Sequence, residues 1–324
     1  MLLALLMLGG GLVLLAVAGD WLIDGAARLA LLANLSPTVV GLTVVAMGTS
    51  MPELAVSLDA AIEGSPDISY ANIVGSNVFN IGAILGLAAL IRPFGVRSQT
   101  LRLEYPFMVL VLWIGLLLSR DGYVDRLEAA FFLFVLAAFV VFIVRLSRSD
   151  PPDEETRKAA QTLRQASREG EGAGRLWLPN IGLVAVGIVG LAGGAELIVR
   201  GAVRLAIEYG IAERVIGLTI IAMGTSLPEL GATIAAARRG QPELAFGNIV
   251  GSNIFNVLCI LGLTAAIIPI PVNADAVRVD NWVMLGFAVG LFAMLWRGRN
   301  VSRLNGLVLL VGFVAYMSWV VLAG

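Results

Sequence analysis

The sequence predicts an all-α polytopic membrane protein with ten transmembrane helices, arranged as two inverted-topology five-helix repeats. Three observations carry this prediction. Of 324 residues, 58% are hydrophobic and 14% are charged, with a mean hydropathy of +0.90; a soluble domain carries about 25% charged residues. The apolar runs are long and unalternating, whereas the strands of an outer-membrane barrel alternate over ~10 residues. The chain also repeats itself at a fixed offset. Soluble enzymes, DNA-binding proteins, disordered scaffolds and membrane barrels are thereby excluded. At about 20 apolar residues per span, the length accommodates roughly ten spans.

The repeat decides the architecture. Shifted by 176 residues, Gly41–Asn80 aligns without a gap on Gly217–Asn256, with 23 of 40 positions identical. Gly41-Leu42-Thr43 returns as Gly217-Leu218-Thr219, and Gly48-Thr49-Ser50 as Gly224-Thr225-Ser226. Pro52-Glu53-Leu54 returns as Pro228-Glu229-Leu230, and Asn72-Ile73-Val74-Gly75-Ser76-Asn77 as Asn248-Ile249-Val250-Gly251-Ser252-Asn253. Weaker matches extend outward, so residues 1–145 form the first unit and 177–324 the second, with 146–176 as a linker.

Apolar runs fall near 2–30, 37–62, 68–92, 103–119 and 127–145, then near 177–206, 215–237, 244–270, 281–296 and 302–322. Five spans per unit is odd, so the second unit enters the membrane from the opposite side, a recurrent plan of secondary transporters. The first run resembles a signal peptide at Ala16-Val17-Ala18, but nothing charged precedes Asp20 and its repeat partner lies mid-chain. It is read as a retained helix. Residues 145–175 carry 7 of the 22 basic residues. The positive-inside rule puts this linker in the cytoplasm and both termini outside, in the cell's inner (plasma) membrane.

No histidine is present, which excludes imidazole metal sites, and the lone Cys259 sits in an apolar run as a packing residue. The chemistry lies instead in the repeated motifs. An acid at membrane depth costs about 2.5–3.5 kcal/mol on insertion scales, yet Glu53 and Glu229 occupy matching places inside apolar runs. Each follows a proline, which has no backbone donor and frees a carbonyl one turn earlier, at Gly48 and Gly224. With the hydroxyls of Thr49, Ser50, Thr225 and Ser226, this makes an oxygen-rich break of the kind hard cations require. Asn72, Ser76 and Asn80 share one helical face, as do Asn248, Ser252 and Asn256, with Gly75 and Gly251 allowing close helix approach. Singly, such prolines, glycines and hydroxyls read as kinks and packing contacts. Duplication of the whole constellation favours a binding site. Asp20 and Glu196 match across the repeat and are read as helix-end or gating charges. Asp24 faces Arg200 in the alignment, so its charge is unrepeated and it is read as structural.

Gly48-Thr49-Ser50-Met51-Pro52-Glu53 and Gly75-Ser76-Asn77-Val78-Phe79-Asn80, with their copies, resemble the α-repeats of the Ca²⁺/cation antiporter superfamily, prokaryotic sodium/calcium exchanger type. The resemblance implies that Glu53 and Glu229 are central carboxylates shared by Ca²⁺ and Na⁺. Thr49, Ser50, Thr225, Ser226, Ser76 and Ser252 would add hydroxyl or carbonyl ligands. Asn80 and Asn256 would line the centre, and Ala46 and Ala222 would give carbonyls to flanking Na⁺ sites. Some sodium/calcium exchangers carry an aspartate where this chain has Asn256, so two formal charges remain here, enough to neutralise one Ca²⁺.

The expected function is electrogenic Na⁺/Ca²⁺ antiport by alternating access. Na⁺ and Ca²⁺ are cargo; no cofactor, nucleic acid or obligatory protein partner is expected, and the chain is not read as an enzyme. The first two helices of each half are expected to move over the core, because the resemblance implies it and because no charged partners for them stand out. A H⁺/Ca²⁺ exchanger is the alternative, since membrane-embedded glutamates can carry protons. A cation channel is a more distant one.

Overall fold

The computed structural model describes residues 1–149, 174–209, 222–274 and 276–323. Among these, eight helices are long and apolar enough to cross a membrane. They are Leu2–Ala33, Ile68–Ile91, Ser98–Asp121, Arg126–Arg148, Trp177–Glu208, Pro242–Ile267, Ala276–Trp296 and Arg303–Leu322. A further span is a bent pair, Pro37–Thr49 and Met51–Ile62, whose pieces meet at 43°. Its second-half counterpart is described from Ala222 onward, as Ala222–Gly224 and Leu227–Arg238. The expected residues 215–221, with Gly217-Leu218-Thr219, lie outside the described residues, as does most of the 146–176 linker.

Local chemistry sets the boundaries. The first helix stops at Asn34, which adopts the left-handed conformation (φ 55°) that asparagine tolerates at a helix end. Ser36 then caps the next helix by accepting from the Val39 N–H, and Pro37 occupies its first turn, where a missing donor costs nothing. Pro66 and Pro242 open the two asparagine-bearing helices in the same way.

Those two helices, 66–91 and 242–267, form the centre. In their apolar windows 78% and 83% of residues are buried, against 17% to 44% for the six other unbroken spans. Around them packs an apolar cluster that includes Tyr105, stacked between Phe246 and Phe292 and donating to the Ala288 carbonyl at 2.8 Å. The first helix and the 174–208 helix run antiparallel at the periphery. Ala4 lies beside Gly201, and Gly25 beside Asn180. A Cβ on Gly25 would stand 2.9 Å from the Asn180 carbonyl, and one on Gly201 would stand 2.9 Å from the Ala4 carbonyl. These two contacts are the same contact, shifted by 176 residues.

The all-helical expectation misses one detail. Two short antiparallel ladders join the halves: Phe94–Gly95 pairs with Asn300–Val301, and Tyr123–Val124 pairs with Ile270–Pro271. Each links the chain after the central helix of one half to the last turn of the other, so the second ladder mirrors the first. Two residues per strand is too short for any period to show in sequence.

Candidate functional site

In both halves the glutamate lies just past a helix break. Ser50 (φ −82°, ψ 6°) and Ser226 (φ −88°, ψ 6°) interrupt the helical path with nearly the same backbone. Pro52 and Pro228 sit in the first turn after the break, and Glu53 and Glu229 follow one residue on. The proline therefore does what its chemistry requires, ending one helical segment and opening another. Both carboxylates are 1% exposed.

The two breaks face each other and are cross-wired. The Ser50 hydroxyl donates to Glu229 Oε1 at 2.8 Å, and the Ser226 hydroxyl donates to Glu53 Oε1 at 2.7 Å. Each half thus holds the other half's carboxylate by a charge-assisted bond.

Behind each glutamate stands an asparagine of the central helix. Asn72 Nδ2 donates to Ser57 Oγ at 3.0 Å and to the Glu53 carbonyl at 3.3 Å. Asn248 Nδ2 donates to Thr233 Oγ1 at 3.1 Å and to the Glu229 carbonyl at 3.5 Å. Their oxygens accept from the opposite half, Thr225 Oγ1 at 3.5 Å and Thr49 Oγ1 at 3.3 Å. Asn72 and Asn248, placed on the polar face by their spacing, are therefore supports that fix the break, together with Ser57 and Thr233. The last two lie inside the aligned stretch but at a non-identical position, serine matched by threonine, so the search for identities passed over them and only the shared hydroxyl could have marked them.

Further along the same helices, Asn80 and Asn256 each begin a π-helical turn, Asn80–Ile84 and Asn256–Leu261. Such turns are rare and widen the helix locally, frequently at functional sites. Asn256 Nδ2 donates across to Asn77 Oδ1 at 3.0 Å. Six buried oxygens of the predicted set have no hydrogen-bond partner among the described residues: Glu53 Oε2, Glu229 Oε2, Ser76 Oγ, Ser252 Oγ, Asn80 Oδ1 and Asn256 Oδ1. They fall into three pairs related by the 176-residue shift. A buried oxygen left without a partner costs about 1–3 kcal/mol, and a cation is one partner that carboxylate, amide and hydroxyl oxygens can all ligate.

The remaining predicted residues divide. Thr49 Oγ1 also donates to the Val45 and Ala46 carbonyls, at 3.1 and 3.3 Å, and the Ala46 carbonyl further accepts from the Ser50 N–H at 3.0 Å. Ala46 is fully buried and packs on Gly251, where an added Cβ would stand 2.7 Å from its own. Gly251 thus permits the close approach expected of it, whereas a Cβ added at Gly75 would meet nothing within 4 Å beyond its own helix among the described residues. Ala222 begins the described segment Ala222–Gly224. Among the described residues no three His, Cys, Asp or Glu side chains cluster in a way that could hold a metal ion.

One expectation about the moving helices is overturned. The first helix does have a charged partner: Arg239, just past the Glu229 helix, binds Asp20 at 2.8 Å and also Asp24. Asp24, read as structural, takes part in this inter-helix contact.

A family profile described as sodium/calcium exchanger protein matches residues 3–145 and 179–322. The chain belongs to this family. Among its relatives, the candidate antiporter CaxA of Alkalimonas amylolytica is 39% identical over 94% of this chain and 95% of its own. The sodium/calcium exchanger MaX1 of Methanosarcina acetivorans is 31% identical over 95% of both chains, and the inner membrane protein YrbG of Escherichia coli is 38% identical over 98% and 97%. The solved sodium-calcium exchanger NCX_Mj superposes with a TM-score of 0.83 at 27% identity, covering 98% of both chains. The protein is accordingly a multi-pass helical membrane protein of a cation antiporter family, with the fold of that exchanger.

Proposed function

We propose that this exchanger moves Ca²⁺ against Na⁺ by alternating access, with both ions competing for one site between Glu53 and Glu229. The observation that carries the reading is the set of six partnerless buried oxygens in three pairs related by the 176-residue shift, one of those pairs on the two cross-wired carboxylates. All are hard donors, which Ca²⁺ and Na⁺ prefer. Two carboxylates balance one Ca²⁺, while Ser50, Ser226, Thr49, Thr225, Ser76, Ser252, Asn80 and Asn256 complete the shell. Ala46 and Ala222 supply backbone carbonyls at its flanks.

In this reading the chain has ten spans in two inverted five-helix units, 1–145 and 177–324, joined by a cytoplasmic linker, with both termini outside. Support comes from the antiparallel packing of equivalent first helices and from mirrored ladders at the two ends. Sharing one site between the ions makes the exchange coupled, because either ion must leave before the other binds.

The test is radioactive Ca²⁺ uptake into proteoliposomes preloaded with Na⁺ or with choline at constant pH. Uptake confined to Na⁺-loaded vesicles supports Na⁺/Ca²⁺ exchange. Equal uptake from both, enhanced by an imposed pH gradient, replaces it with H⁺/Ca²⁺ exchange.

A further inference from the structure

The two halves are equivalent in their site but not at their edges. The first helix packs along the Glu229 helix, where a Cβ on Gly19 would stand 3.0 Å from the Gly231 carbonyl and 3.1 Å from the Ala235 Cβ. Shifted by 176 residues, this contact would bring the 174–208 helix onto Met51–Ile62 at Ala55 and Asp59. Those two residues are exposed, whereas Ala235 is 3% exposed. One flank of the site is covered and the other is open.

The charges at the same places follow the asymmetry. On the covered flank Arg239 bridges Asp20 and Asp24, two acids four residues apart on one helical face. Their counterparts on the open flank are Glu63, Glu196 and Arg200. Each trio contains two acids and one arginine, but the arginine has moved from the helix end to the peripheral helix. Position 239 is arginine and position 63 glutamate; position 24 is aspartate and position 200 arginine. The pair Asp24–Arg239 thus has a counterpart, Arg200–Glu63, with both charges reversed and the attraction kept.

The backbones that would present them are alike. Glu63 (φ −75°, ψ 3°) and Arg239 (φ −78°, ψ 1°) both end the glutamate-bearing helix and both precede a glycine of positive φ, Gly64 and Gly240. On the open flank Arg200 binds Glu196 of its own helix at 2.5 Å, and no ion pair joins it to Glu63.

We propose that these trios are alternating latches: the Arg239 bridge holds the covered state seen here, and an Arg200 bridge between Glu196 and Glu63 holds the opposite one. The inference rests on the alternating-access reading and adds the residues that secure each end state. Each latch joins a peripheral helix to the end of a helix bearing a site carboxylate. Breaking one therefore biases access without touching an ion ligand. A single exposed pair contributes little, but one guanidinium shared by two carboxylates forms a small network.

The experiment has two arms, both in a Cys259→Ala background and both followed by size-exclusion chromatography. In the first, Glu63→Cys with Arg200→Cys is treated with a short bifunctional thiol reagent, with and without Arg239→Ala. Releasing the first latch should raise the cross-link yield about fivefold by shifting the population toward the opposite state. A yield indifferent to Arg239 overturns the reciprocity. In the second arm, Arg239→Glu gathers three acids and should slow exchange about fivefold. Asp24→Arg added to it rebuilds the acid–base–acid order of the other flank and should restore the rate. A double variant no faster than the single one overturns the pairing. Cross-linking needs no transported ion, so a latch that responds in a protein without Na⁺-driven Ca²⁺ uptake would unseat the ion assignment and leave the latch standing.

Discussion

Removing one cross-wired hydroxyl should weaken Ca²⁺ handling by a predictable amount. Ser50 Oγ stands 2.8 Å from Glu229 Oε1, with serine and glutamate 2% and 1% exposed, so water cannot replace the bond. A hydrogen bond to a charged group contributes about 1.5–3 kcal/mol. The hydroxyl donates to the carboxylate while offering its lone pairs to a cation, so Ser50→Ala loses both a ligand and the group that orients Glu229. The expected result is a rise in the Ca²⁺ concentration for half-maximal uptake of about tenfold to a hundredfold. Ser226→Ala should match it within about threefold, since its bond to Glu53 is of similar strength at 2.7 Å. Ser318→Ala serves as the control, because that exposed hydroxyl only returns to the Val314 carbonyl of its own helix. The assay is initial-rate uptake into Na⁺-loaded proteoliposomes across a Ca²⁺ titration. A Ser50→Ala protein with a wild-type midpoint would refute the claim that the halves hold one another's carboxylates for the ion.

Other consequences follow from the same geometry. Glu53→Gln and Glu229→Gln should each abolish Ca²⁺ uptake while the purified protein still elutes as a folded species; wild-type flux in either would remove that residue from the site. Asn72→Ala strips the donor from Ser57 Oγ and from the Glu53 carbonyl. It should cost about 1–3 kcal/mol, seen as a lower melting midpoint in detergent together with a raised Ca²⁺ midpoint; a change in stability alone would make Asn72 a mere packing residue. Gly251→Leu places a Cβ 2.5 Å from the Leu42 carbonyl, so the helices must part and the yield of folded protein should collapse. Normal yield would show that the close approach is dispensable.

Much of this was legible in the sequence because duplication marks what chemistry needs twice. The proline–glutamate break and the Ser76/Ser252 and Asn80/Asn256 positions stood out at a constant offset, and all of these serines, asparagines and glutamates are buried. The direction of the serine bonds was not legible. Spacing puts Ser50 three residues from Glu53, but only the packing of the halves shows that it serves Glu229. The π-turns at Asn80 and Asn256 leave no periodic trace, since the same residues suit an ordinary helix. The partner of Asp24 was not legible either: Arg239 lies far away in sequence, and only the packing of the first helix on the Glu229 helix brings the two together.

Calorimetric Ca²⁺ titration of the detergent-purified exchanger tests the central claim most directly, with the wild type set beside the Glu53→Gln/Glu229→Gln double variant and each repeated in Na⁺. Two carboxylates serving one shared site predict a single Ca²⁺ per chain, displaced by Na⁺ and absent from the double variant. Saturable binding of one Ca²⁺ that survives the loss of both glutamates, or that ignores Na⁺, would contradict a single shared site.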